Sequence, residues 1–142
     1  MNFEYQKNVA VDRGVLWLAL TDPDSINRNL PKDAKVKAID ESNFELSLKV
    51  KAGFIRPTVK AKSTLRDVQV DGSFAFDLAG KALGTSVKAS AKVILTETPS
   101  GSQVLLSGDI ETKGALNRVS DQKKQQSIKK FLDDYFRSIE NY

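Results

Sequence analysis

From residue 43 to residue 113, apolar side chains recur at every second position, and this alternation restricts the fold more than any other feature of the chain. Residues 43–51 set Phe44, Leu46, Leu48 and Val50 against Glu45, Ser47, Lys49 and Lys51. Residues 58–70 turn Val59, Ala61, Ser63 and Leu65 one way and Lys60, Lys62, Thr64 and Arg66 the other. Residues 73–80 repeat the pattern with Phe74, Phe76, Leu78 and Gly80. Residues 86–97 place Val87, Ala89, Ala91, Val93 and Leu95 on the same side, and residues 103–113 add Val104, Leu106, Gly108 and Ile110. A period of two is the period of a strand. One dry and one wet face marks an antiparallel sheet packed on one side only.

The flanks supply the cover. Residues 3–9 read as a first strand and 34–39 as a short one. Between them, Asp12 is placed to cap a short helix over Arg13–Leu20, whose Val15, Leu16, Leu18, Ala19 and Leu20 are expected to be mostly buried around Trp17. Asp22-Pro23 opens a second short helix that ends near Asn29, with proline at the first helical position, where its missing N–H is harmless. At about Asn117–Glu140 the period becomes helical, with Ile128, Phe131, Leu132, Tyr135, Phe136 and Ile139 in one stripe. This helix is the only large cover for the sheet's apolar face. The chain is therefore expected to be one α+β domain over residues 1–142, a curved seven-strand antiparallel sheet around a long C-terminal helix, with two short helices after the first strand.

Several chemistries are excluded. There is no cysteine and no histidine, hence no disulfide, no thiolate and no imidazole base or ligand. No carboxylate pair is spaced to meet on one apolar face, and no glycine-rich phosphate loop leads from a strand into a helix. No catalytic residue, metal or cofactor is expected. The net charge of +4 comes mostly from scattered lysines, without the clustered arginines and aromatics of a nucleic-acid surface. No apolar run approaches the ~20 residues of a membrane span. Met1-Asn2-Phe3-Glu4-Tyr5 has neither the basic start nor the apolar core of a signal peptide. A soluble cytoplasmic protein is expected, peripheral to a membrane if associated with one.

Trp17, Asp22-Pro23 and Leu30-Pro31 resemble the opening of the family named for the G component of carbon monoxide dehydrogenase. Leu48-Lys49-Val50-Lys51-Ala52-Gly53-Phe54-Ile55 is similar to that family's glycine-containing hairpin. The order of elements is that of the START-like, or SRPBCC, helix-grip superfamily. The resemblance implies a non-catalytic accessory that binds a hydrophobic molecule, lipid or quinone, and helps to place a redox enzyme at the membrane. The same superfamily hosts carriers and cyclases, so the fold by itself leaves a cavity-based cyclase or hydrolase, or a structural adaptor without ligand, as alternatives.

Three features bear on a site. Ala61, Ser63, Gly80, Ala89, Ala91 and Gly108 are small and point inward. They either admit the helix closely or leave an apolar pocket, whose wall would also include Phe76, Leu78, Leu106 and Phe131. Next, one end of the sheet collects Phe54, Ile55 and Leu83, with Lys51, Arg56 and Lys81 among the basic residues around them. Such an end suits an anionic membrane, a protein partner or a pocket mouth, unless Phe54 and Ile55 fold back to plug the core. Lastly, the helix stripe continued backward from Ile128 meets Lys124 or Gln125, Asp121 and Asn117. That polar half reads as a solvated helix start, a gate, or a partner for a ligand's polar head.

Overall fold

A computed structural model describes residues 1–49, 58–82 and 84–141. The elements run β1 (Asn2–Val9), α1 (Arg13–Thr21), α2 (Pro23–Asn29), β2 (Ala34–Ala38), β3 (Asn43–Lys49), β4 (Thr58–Gln69), β5 (Ser73–Ala82), β6 (Thr85–Thr98), β7 (Gly101–Lys113) and α3 (Asp121–Glu140). All strands pair antiparallel in one sheet of order β1-β7-β6-β5-β4-β3-β2. Consecutive strands form a meander from β2 to β7, and β1 returns to the far edge beside β7.

Local chemistry sets the boundaries. The Asp22 carboxylate accepts the Ser25 N–H at 3.0 Å and caps α2, with Pro23 at its first position. Asp12 stands at the N-cap of α1, but its side chain makes no capping bond. The last helix begins at Asp121, four residues after the expected Asn117. Gly114 has φ +84°, residues Gly114–Arg118 form a 3-10 turn, and the Ser120 hydroxyl accepts the Lys123 N–H to start α3. On β4 a bulge between Arg66 and Gln69 holds Asp67 at φ 53° and leaves Val68 and Val70 exposed. At the free edge of β2 a side chain takes the place of a strand. Asn27 donates to the Val36 C=O and accepts the Val36 N–H at 2.8 Å each.

The core lies at one end of the concave face. Phe3, Tyr5, Val9, Leu16, Trp17, Phe74, Val93, Leu95, Val104, Tyr135, Phe136 and Ile139 are buried there together. Phe136 stacks on Tyr5 with ring centres 5.9 Å apart, and Trp17 meets Phe74 edge-on at 5.6 Å. The second half of α3 is also tied down by polar bonds. Tyr135 donates to the Ala19 carbonyl, Tyr5 donates to Asp133 at 2.6 Å, and Glu140 accepts the Ala10 N–H at 3.0 Å.

Two sequence expectations about burial need correction. Val15 and Leu18 are exposed, because a helix as short as α1 meets the sheet with one face only, through Leu16, Trp17 and Ala19. The α3 stripe is graded rather than uniform: Tyr135, Phe136 and Ile139 are buried, Ile128 and Leu132 half-buried, and Phe131 is 42% exposed. Phe136→Ala is therefore expected to cost about 3–5 kcal/mol in urea denaturation, while Phe131→Ala costs about 1 kcal/mol or less. Equal losses would mean that α3 sits in the sheet as one evenly buried helix.

Candidate functional site

The concave face is filled at one end and open at the other. Phe74, Val93, Leu95 and Val104 are buried, whereas Leu46, Ala61, Leu78, Val87, Ala89 and Ile110, further along the same sheet, are half-buried. Between these regions lies a cavity of about 260 Å³. The sheet contributes Leu46, Ser63, Leu65, Phe76, Leu78 and Leu106, α2 and its C-cap contribute Ile26 and Leu30, and α3 contributes Phe131, Leu132, Tyr135 and Phe136. Among the described residues no Asp, Glu, Lys or Arg lines it, and the side-chain hydroxyls there are those of Ser63 and Tyr135. Burial pushes the Tyr135 phenol up from its ordinary pKa, and its proton is already given to Ala19. A wall of this kind can hold an apolar molecule.

Of the residues read as ligand-binding, Ser63, Phe76, Leu78, Leu106 and Phe131 come together in this wall. Ala61, Ala89, Ala91 and Gly108 occupy the inward rows beside it without lining it. Their small size has a nearer cause. A Cβ on Gly108 would lie 2.7 Å from the Ala91 Cβ and 2.6 Å from the Ser90 carbonyl oxygen. A Cβ on Gly80 would lie 3.0 Å from that of Ala61. Each pair stands directly opposite across neighbouring strands, where a larger side chain would overlap its partner. Larger residues missed at the sequence level, Leu20, Ile26, Leu30, Val36, Phe44 and Leu46, complete the wall from α1, α2, β2 and β3. Only their shared apolar character hinted at it.

Of the end residues, Lys51, Phe54, Ile55, Arg56 and Leu83 lie outside the described residues, and Lys81 is exposed. Register reveals a larger pattern around Lys81. One outward row across the sheet reads Lys35, Ser47, Lys60, Lys81, Ser86 and Lys113. It holds four exposed lysines and no acid, and none of the four has an ion-pair partner among the described residues. Lys60 stands directly opposite Lys81, a placement that disfavours the sheet. Farther from this end, Asp77 faces Arg66 and Ser90, whose bonds hold its carboxyl below the usual range, the Ser90 bond foremost. Across the sheet at the β1 edge, burial and then the bond to Asp133 push the Tyr5 phenol up, while Tyr5 in turn lowers Asp133.

Among the described residues no group of acidic side chains could hold a metal ion, and no helix is long and apolar enough to cross a membrane.

The sequence profile of CoxG, the family of the carbon monoxide dehydrogenase G component, matches residues 6–142. The chain belongs to that family. A search of curated proteins returns no match. Solved structures similar to this CoxG-family chain share its fold at low identity. A conserved protein from Geobacillus kaustophilus superposes with a TM-score of 0.87 at 15% identity, covering 99% of this chain and 93% of that one. A protein from Rhizobium leguminosarum gives 0.77 at 10% identity, over 100% and 95% of the two chains. Ara h 8.0201 gives 0.73 at 18% identity, over 100% and 96%. The seven-strand sheet, the two short helices after β1 and the long last helix are those of the SRPBCC helix-grip fold.

Gly108→Ala is expected to lower stability by about 1–3 kcal/mol, because its Cβ overpacks against Ala91. Urea denaturation checks this. A change within about 0.5 kcal/mol would mean that the strands part freely there.

Proposed function

We propose that this CoxG-family chain is a non-catalytic binding protein for a hydrophobic molecule, lipid or quinone in class, that works at an anionic membrane surface beside a redox enzyme. The single observation that carries the binding role is the cavity of about 260 Å³ with an uncharged, almost wholly apolar wall. Its size lies just below the roughly 300–1,000 Å³ usual for ligand sites. It suits one ring or one stretch of tail, with the remainder leaving by the open end of the sheet. The wall, uncharged among the described residues, argues against the cyclase or hydrolase alternative, and the cavity argues against a filled-core adaptor.

The lysine row supports the membrane part of the reading. Lys35, Lys60, Lys81 and Lys113 stand on the outward face at the less buried end of the sheet. Each basic residue near an anionic leaflet contributes about 1 kcal/mol. That gain offsets the repulsion between Lys60 and Lys81 once the protein is docked. A molecule held in the cavity would then enter and leave next to the bilayer.

Trp17, the only tryptophan, packs on the cavity-lining Phe74 and reports on the space. Titration with decylubiquinone is expected to quench its fluorescence, and Ser63→Phe, which fills the cavity, should weaken binding at least tenfold with little loss of stability. Undiminished binding by a folded Ser63→Phe variant would overturn the assignment. The wild type should also sediment with phosphatidylglycerol vesicles at low salt and be released at high salt. Lys→Gln at all four row positions should abolish that binding.

A further inference from the structure

One cation faces the sheet from the first half of α3. Lys124 precedes Ile128 by four residues and Phe131 by seven, which puts all three on one helix face. Its side chain is only 14% exposed. The ammonium donates to the Thr112 hydroxyl at 3.3 Å, and that hydroxyl donates onward to the Asn117 side-chain oxygen at 2.6 Å. Its one ion-pair partner among the described residues is Asp121, 3.5 Å away, whose own side chain is 69% exposed. A charge largely withdrawn from water is thus matched by a carboxylate that is mostly in water, a weak compensation.

The register connects this ammonium to the cavity. Thr112, Val87, Gly80, Ala61 and Leu46 form one inward row across β7, β6, β5, β4 and β3, and Leu46 lines the cavity. The next row toward the core includes Leu78 and Ser63, which also line it. Two strand spacings and one side-chain repeat separate Thr112 from Leu78, about 12 Å along the sheet. Gly80 and Ala61 keep the floor of that path low. The concave face therefore offers an apolar cavity and, along the neighbouring inward row, a positive charge about 12 Å from its wall.

We propose that, of the two ligand classes named above, the lipid is the one this face takes: an amphiphile with an anionic head, carboxylate or phosphate, whose tail enters the cavity and whose head pairs with Lys124, displacing Asp121. Thr112 accepts from the Lys124 ammonium and is itself held by Asn117, whose side-chain NH2 can donate to the head. This rests on the cavity being a ligand site and adds the class of head group. A tether between α3 and β7 alone would not distinguish one head group from another.

The test measures affinities for dodecanoate, dodecyl phosphate and methyl dodecanoate by Trp17 fluorescence, in the wild type, Lys124→Met and Lys124→Arg. The wild type is expected to bind dodecanoate or dodecyl phosphate at least tenfold more tightly than the ester. Lys124→Met should lose that preference while still binding the ester, and Lys124→Arg should keep most of it. Whichever anion shows the Lys124-dependent gain identifies a fatty-acid-like or a phospholipid-like source. Ester bound as tightly as either anion, or a preference that survives in Lys124→Met, would overturn the head-group assignment and leave the cavity assignment standing. If none of the three compounds binds while decylubiquinone does, the head-group assignment falls and the cavity assignment stands; if decylubiquinone fails as well, both fall.

Discussion

The packing of Tyr135, Phe136 and Ile139 into the concave sheet is the interaction on which the rest of the molecule depends. A meander of this kind has one apolar face and cannot leave it in water. The last helix covers that face, but with three buried side chains near its C-terminus rather than along its whole length. Tyr5 and Phe136 stack, Tyr135 ties α3 to α1 through Ala19, and Asp133 and Glu140 bind β1 and the chain just after it. Stability is thereby concentrated at one end of the sheet.

The other end is left underfilled as a direct result. The first half of α3 is polar and its side chains are mostly exposed, so this helix offers the sheet opposite few apolar partners. A cavity forms where the well-packed end gives way to this region, lined by Leu78, Ser63, Leu46 and Phe131. The 42% exposure of Phe131 is of a piece with this geometry: its ring sits at the boundary, stacked on Tyr135 on one side and bordering empty space on the other. Family membership and fold agree with a ligand-binding role of this kind, and the physical division between a packed and an open half is what gives such a role a place in the molecule.

Much of the fold was legible because alternation and helical periodicity are local signals. The strands, the Asp22-Pro23 helix start and the stripe through Phe136 are written in residues close together in sequence. What escaped was set by register or by neighbours far away in the chain. Lys35, Lys60, Lys81 and Lys113 form one row only after five strand pairings are known. The small residues were ambiguous for the same reason: Gly108 is small because of Ala91, a contact no single strand reveals. Val15 and Leu18 face water because hydrophobicity does not say which face of a short helix finds a partner. Lys124 was visible on the inward helix stripe, but its bond to Thr112 was not.

The central claim is that the concave face holds a small hydrophobic molecule beside its packed core. Native mass spectrometry of the protein, both as isolated from its own cells and after incubation with their lipid extract, measures this most directly. The expected result is a population heavier than the bare chain by one small molecule, released intact on organic denaturation. A spectrum of the bare chain alone in both preparations would contradict the claim.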